Sequence, residues 1–249
     1  MRLAGIDIGS RSIELVVLRD SEIIESRQAD SGFDPMAQAR KLLDGVKHHH
    51  IMATGYGRHL FELCLDAPTV TEIKAYAVGA NALFPDVRTI LDIGGQDSKA
   101  IALNKNGKVM KFEMNDRCAA GTGKFLEIMA HALGFGLDEF GAEALKATKD
   151  IQISSMCTVF AESEVTSLVA KGEDRREIAL GLHASVVRRA VGMLKRVCPD
   201  GNIFFAGGVA KNPCMRNLIE NALGQKITVP QNPQMVGALG AAILAGEIK

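Results

Sequence analysis

Gly5-Ile6-Asp7-Ile8-Gly9-Ser10 and Ile90-Leu91-Asp92-Ile93-Gly94-Gly95 are two copies of one pattern, an apolar strand ending in aspartate one residue before a glycine turn. In the first copy, residues 3–8 read as a strand, Gly9-Ser10-Arg11-Ser12 as a polar turn and 13–18 as the returning strand. In the second, 89–93 is strand, Gly94-Gly95-Gln96-Asp97 is turn and 98–103 returns. Each copy is therefore a hairpin with glycine at its tip. A repeat of this kind predicts an α/β protein of two related lobes, each a mixed sheet with helices packed around it.

Working outward, strands are expected at 22–29, 51–53, 109–114, 203–205 and 226–229. The short strand at 51–53 runs into Thr54-Gly55-Tyr56-Gly57, and the one at 203–205 into Ala206-Gly207-Gly208-Val209-Ala210. Helical periodicity marks 35–46, 72–83, 123–133, 160–170, 176–197, 213–223 and a last helix from 235. The expected division is an N-terminal lobe over 1–86 and a C-terminal lobe over 87–249, with the last helix (about 235–249) packing back on the first lobe.

The 249 residues suffice for a sizeable core, and 47% hydrophobic with 23% charged residues is ordinary for a globular chain. Lysine plus arginine and aspartate plus glutamate balance at 29 each, so whole-chain charge offers no case for nucleic acid or an anionic membrane. No apolar run reaches the roughly 18–20 residues that span a bilayer. Met1-Arg2-Leu3 leads straight into a strand rather than a signal peptide, and a cytoplasmic location is expected. Five cysteines, at 64, 118, 157, 198 and 214, are an odd number, which argues for reduced, buried or metal-bound thiols rather than a disulfide framework.

Glycine at a hairpin tip lets backbone N–H groups approach phosphate oxygens, and the Ser10 and Ser12 hydroxyls can add donors. Asp7 and Asp92, facing each other across a cleft between lobes, would offer hard carboxylate oxygens to Mg2+ through water. Gln96 or Asp97 could then orient an attacking water. A P-loop is absent, and the glycine turns do not lead into helices as a dinucleotide fingerprint requires. His48-His49-His50 cannot all face one point on regular structure and reads as a solvated loop.

Two Asp-Ile-Gly hairpins followed far downstream by Phe205-Ala206-Gly207-Gly208-Val209-Ala210-Lys211-Asn212 resemble the actin, sugar kinase and heat-shock chaperone ATPase superfamily, a duplicated ribonuclease H-like fold with a nucleotide cleft between its lobes. That resemblance implies ATP phosphates on Gly9, Ser10, Arg11, Ser12, Gly94, Gly95 and Gln96, with Gly207, Gly208, Val209, Lys211, Asn212 and Gln234 toward the rest of the nucleotide. Lys124 could reach a phosphate or be a solvated helix charge, and Glu127, on the same helix, could enter the cleft.

Three further stretches narrow the likeness. They are Asp92-Ile93-Gly94-Gly95-Gln96-Asp97-Ser98-Lys99, Asn115-Asp116-Arg117-Cys118-Ala119-Ala120-Gly121-Thr122-Gly123-Lys124 and Ser155-Met156-Cys157-Thr158-Val159-Phe160-Ala161-Glu162. With Pro233-Gln234 they are similar to activators of 2-hydroxyacyl-CoA dehydratases and ATPase subunits of benzoyl-CoA reductases, over nearly the whole chain. The resemblance implies that Cys118 and Cys157 ligate a 4Fe-4S cluster. Two thiolates per chain are half the usual set, so one cluster would bridge a homodimer. Each cysteine is expected to precede a helix directly, where the helix dipole favours thiolate. Without this likeness both would read as ordinary buried cysteines; Cys64, Cys198 and Cys214 lack the motif context and read as structural.

The implied activity is ATP-driven transfer of a low-potential electron to an iron-sulfur partner, a dehydratase or a benzoyl-CoA-type reductase, with ferredoxin or flavodoxin as donor, in an anaerobic cytoplasm. Two rivals share the fold: a small-molecule kinase, which lacks an obvious insertion for a sugar pocket, and a non-redox nucleotide switch.

Overall fold

The computed structural model describes residues 1–149, 151–154, 157–197 and 201–248. Two compact units emerge: one comprises Met1–Ile90, Ile101–Lys111 and Pro230–Lys249, the other Leu91–Ala100 and Phe112–Val229.

The first unit contains β1 (Arg2–Ile8), β2 (Ser12–Arg19), β3 (Glu22–Asp30), α1 (Pro35–Leu43), β4 (His50–Thr54), α2 (Arg58–Leu65), α3 (Glu72–Leu83) and, from the end of the chain, α9 (Val236–Ala245). Its sheet runs β3-β2-β1-β4, with β1 antiparallel to β2 and parallel to β4. Alternation puts Ile6, Ile8, Ile13 and Leu15 on the face covered by Met36, Ala39, Leu42 and Phe61. Val16 and Leu18 meet Ala238, Leu239 and Ala242 of α9 on the other face. Gly5 permits this close approach: a Cβ there would lie 2.1 Å from the Ala238 carbonyl oxygen. α9 is apolar on nearly every side because it is enclosed between sheet and α3.

The second sheet has the order β7-β6-β5-β8-β9, built from β5 (Val87–Ile93), β6 (Ser98–Leu103), β7 (Val109–Asn115), β8 (Asn202–Ala206) and β9 (Ile227–Thr228). Its first four strands repeat the order of the smaller sheet. Within the second unit, the 23-residue helix α7 (Arg175–Val197) packs against α4 (Gly123–Ala132), α5 (Leu137–Ala144), α6 (Thr158–Ala170) and α8 (Pro213–Leu223). The α/β expectation with two mixed sheets therefore holds. Among the described residues, no helix is long and apolar enough to cross a membrane.

Two helices escape the sequence reading. In α2 only Phe61 is buried while Leu60, Leu63 and Leu65 are exposed, so no coherent apolar stripe announces it. α5 is short and gains its start from the Glu139 carboxylate, which accepts a 3.0 Å hydrogen bond from Gly136 N–H. α1 stops at Leu43, short of the expected 46, because Asp44-Gly45 turns the chain with Gly45 at φ 73°.

Candidate functional site

The first glycine turn closes with Gly9 N–H donating to the Ser12 carbonyl at 3.0 Å. Its outward carbonyls are tied down from two sides. Ser31, buried after β3, donates its hydroxyl to Gly9 O at 2.7 Å and its N–H to Arg11 O at 3.0 Å. Gly57 N–H donates to Ile8 O at 2.9 Å. Asp7 is buried at the end of β1, opposite Glu14 on β2 and Thr54 on β4. Glu14 accepts from Ser12 Oγ at 2.5 Å and Gln28 Nε2 at 3.1 Å, and Gln234 Nε2 donates to Ser12 Oγ at 3.3 Å. Gln234 thus joins the first turn, while the Ser12 hydroxyl proton is directed at Glu14. Arg11 is exposed and Ser10 half-buried at the tip.

The second turn repeats that backbone: Gly94 N–H donates to the Asp97 carbonyl, again at 3.0 Å. Here the ties come from a helix start, with Gly123 N–H on Gly94 O at 2.9 Å and Lys124 N–H on Gly95 O at 2.8 Å. Asp92 and Lys99 are fully buried, and Lys99 Nζ donates to Asp92 Oδ2 at 3.2 Å and Asp97 Oδ2 at 2.6 Å. Asp97 is thereby committed to a cation, whereas Gln96 is exposed at the tip. Lys124 is exposed and pairs with Glu127 at 3.4 Å.

The repeat extends to the glycine after each fourth strand. Gly55 follows β4 at φ 90° and Gly207 follows β8 at φ 83°, a region that side chains rarely enter. A Cβ on Gly55 would lie 2.4 Å from Asp7 Oδ1, and one on Gly207 2.5 Å from Asp92 Oδ1. Each aspartate is therefore seated against a bare glycine backbone. Asp7 has a second such neighbour, since a Cβ on Gly237 would be 2.1 Å from its Oδ2.

The third turn continues from Gly207 through a short 3-10 segment, Gly208–Lys211, in which Gly208 and Lys211 are exposed and Val209 buried. Asn212 ends it and caps α8, its Oδ1 accepting from Met215 N–H at 3.1 Å. The Asn212 Nδ2 group reaches His183 Nε2 at 2.9 Å, and His183 Nδ1 lies 2.7 Å from the Ala179 carbonyl. The carbonyl only accepts, so Nδ1 carries the proton and Nε2 accepts from Asn212. Burial pushes the His183 pKa down to about 4, consistent with this neutral tautomer.

Cys118 and Cys157 both belong to the second unit and both are free thiols, half-buried and exposed respectively. Cys157 is the N-cap of α6, with its carbonyl accepting from Ala161 N–H at 2.9 Å. Cys118 differs from expectation. α4 begins only at Gly123, and Cys118 lies in a preceding turn held by Asn115, whose Oδ1 accepts from Cys118 N–H at 3.2 Å and whose Nδ2 donates to Cys118 O at 2.8 Å. The helix-dipole argument therefore applies to Cys157 and not to Cys118. The segment before Cys157 is anchored too: Glu164 accepts from Ser154 N–H at 3.0 Å, and Arg188 Nη2 donates to Ile153 O at 2.9 Å. Ser155 and Met156 of the quoted motif, and Cys198, lie outside the described residues. Cys64 is a free, exposed thiol and Cys214 a buried one, its pKa pushed up to about 12 by desolvation. Among the described residues, no cluster of three or more His, Cys, Asp or Glu side chains forms a metal site within one chain.

Comparison with known proteins decides the family: residues 4–245 match the model of the BadF/BadG/BcrA/BcrD ATPase family. The chain belongs to that family. Similar to this ATPase is the activator of lactoyl-CoA dehydratase of Anaerotignum propionicum, 42% identical over 99% of this chain and 98% of that one. Component A of the Acidaminococcus fermentans (R)-2-hydroxyglutaryl-CoA dehydratase superposes with a TM-score of 0.93 at 39% identity, covering 99% of this chain and 98% of its own. The Clostridium difficile activator of 2-hydroxyisocaproyl-CoA dehydratase, solved with bound ADPNP, gives 0.91 at 37% identity, covering 100% and 98%. The fold of this ATPase is thus actin-like.

Four residues of this ATPase went unassigned in the sequence. Gly55 was visible as the end of a strand, and aligning Ala53-Thr54-Gly55 with Phe205-Ala206-Gly207 would have extended the repeat. Lys99 sits in a quoted motif, but nothing local marks a lysine as buried. Ser31 and His183 carry no motif; only tertiary contacts reveal them.

Proposed function

We propose that this ATPase is an ATP-dependent reductive activator that works as a homodimer on an iron-sulfur 2-hydroxyacyl-CoA dehydratase or a benzoyl-CoA-type reductase. What carries the reading is the joint presence, in one chain, of two glycine turns backed by buried aspartates and of two accessible free thiols. The full-length likeness to dehydratase activators supports it.

Gly9 to Ser12 and Gly94 to Gln96 would offer backbone N–H groups to ATP phosphates, and Gly207 to Asn212 would face the nucleoside, with Gln234 beside the first turn. Asp7 and Asp92 would hold Mg2+ through water; hard, buried carboxylates against bare glycine backbone fit that ion. Gln96 is free to orient a water, while Asp97 is held on Lys99.

The donor set fits an iron-sulfur cluster shared between two copies: two unbridged, solvent-reachable thiols, each on backbone fixed by hydrogen bonds. Cys118 and Cys157 of each protomer would ligate it. When bound, a 4Fe-4S cluster supplies the single low-potential electron that the partner receives. Reduced ferredoxin or flavodoxin would be the donor. The backbone hydrogen bonds from Gly123 and Lys124 to the second turn, with the Thr122 hydroxyl on Ala119 O at 2.6 Å, give a short hydrogen-bonded route from that turn toward Cys118.

Iron and acid-labile sulfide on anaerobically purified protein, with EPR after dithionite reduction, test the cluster. Roughly four irons per dimer, lost in Cys118→Ala and in Cys157→Ala, are expected. Iron-free wild type that resists reconstitution yet hydrolyses ATP would overturn the redox reading.

A further inference from the structure

We propose that Lys99 is a positioning residue for ATP hydrolysis: its buried ammonium, shared by Asp92 and Asp97, sets both carboxylates in place before metal and nucleotide bind. The inference rests on the reading of Asp92 and the Gly94–Asp97 turn as the ATP site.

Three observations carry it. First, Lys99 is among the largest fully buried side chains, at 1% exposure, and its Nζ reaches Asp92 Oδ2 at 3.2 Å and Asp97 Oδ2 at 2.6 Å. A lysine is buried to that extent only when paired. Second, the bond to Lys99 turns the other oxygen of Asp97 inward, over Gly94: a Cβ added to Gly94 would lie 2.8 Å from Asp97 Oδ1. The ammonium thus determines where the carboxylate at the turn can go.

Third, the first hairpin is an internal control. The residue seven beyond the strand-end aspartate is Lys99 in the second repeat and Glu14 in the first, and Glu14 is also buried. Both turns close with the same 3.0 Å bond, Gly9 N–H to Ser12 O and Gly94 N–H to Asp97 O. A lysine is therefore not required to form this hairpin. Nor does a buried ion pair generally stabilise a fold more than apolar side chains of the same volume. What Lys99 adds is charge and direction at two carboxylates, one of them a proposed Mg2+ holder.

The test is steady-state ATPase activity of the cluster-loaded dimer as a function of ATP and of Mg2+, for wild type, Lys99→Gln, Lys99→Arg, Asp92→Asn and a surface control, Lys146→Gln. In Lys99→Gln, kcat is expected to fall by about 10²-fold, the scale of a displaced catalytic group, with little change in KM for ATP. Its half-saturating Mg2+ should also fall, because a neighbouring positive charge is gone. Lys99→Arg should recover most of kcat, and Lys146→Gln should match wild type. Wild-type kcat and Mg2+ dependence in Lys99→Gln would overturn the proposal, as would equal losses in the Gln and Arg variants.

Should Lys99→Gln not fold, Lys99→Gln/Asp97→Asn removes one charge of each sign and is compared with Asp97→Asn alone. A further fall in kcat and in half-saturating Mg2+ on adding the lysine change supports the proposal, and identical kinetics refute it. Absence of ATPase in wild type defeats the underlying site reading; an inactive Asp92→Asn beside a fully active Lys99→Gln defeats only this inference.

Discussion

The two hairpins share a backbone and differ in almost every side chain that touches it. Each has a buried strand-end aspartate, a glycine turn closed by a 3.0 Å bond, and a positive-φ glycine after the fourth strand whose missing side chain seats that aspartate. Around this common frame, the first turn is tied by Ser31 and Gly57 and faces Glu14. The second is tied by the start of α4 and faces Lys99. The repeated part is what places a buried carboxylate beside a glycine turn. The divergent part gives each turn its own wiring: the first is fastened to loops of its own sheet, the second to the segment that carries Cys118.

If the shared frame is what matters, breaking it should hurt equally in both repeats. Gly55→Ala and Gly207→Ala each force a side chain into a disfavoured backbone region, at about 1–3 kcal/mol, and drive a Cβ into the aspartate. ATPase activity is expected to fall by ~10²-fold in each, measured beside thermal melts. A large loss at only one glycine would show that the repeat is structural in the other half.

The next effect belongs to the second repeat alone, where His183 supports the turn after Gly207. The His183 pKa is about 4 when folded against an ordinary 6.5. The unfolded chain therefore binds the proton more readily between those values, and stability is retained above about pH 6.5 and lost as pH falls toward 4. Removing this penalty in His183→Gln should flatten the pH dependence of the unfolding free energy across that window by up to about 3 kcal/mol. An unchanged pH profile would refute the neutral His183–Asn212 bond.

Ser31→Ala should cost about 1–2 kcal/mol, because the partly buried Gly9 carbonyl loses a donor, and should weaken ATP binding in calorimetry more than it slows turnover. Glu14→Gln should be the mildest change, within about 1 kcal/mol in denaturant unfolding, since an amide oxygen can still accept from Ser12 and Gln28. A large effect there would mean that Glu14 has its own role at the site.

The frame was legible because its signals are local. Apolar runs ending in Asp-Ile-Gly announce strand and turn whatever surrounds them, and Ser98–Leu103 and Pro213–Leu223 have the bounds that their patterns imply. The wiring was not legible, because it depends on long-range contacts: Ser31 to Gly9 spans 22 residues and Asn212 to His183 spans 29. Cys118 shows a limit of a different kind: α4 starts at Gly123 as its pattern implies, but Cys118 lies in an earlier turn held by Asn115, with Gly121 at φ 102° between it and the helix.

The most direct test of the whole account is to follow the EPR signal of the dithionite-free, reduced dimer, mixed anaerobically with a 2-hydroxyacyl-CoA dehydratase, with and without Mg-ATP. The signal is expected to persist with partner alone or with a non-hydrolysable analogue, and to disappear when ATP is hydrolysed, in wild type but not in Asp92→Asn. Signal loss independent of ATP, or hydrolysis that leaves the signal untouched, would contradict it.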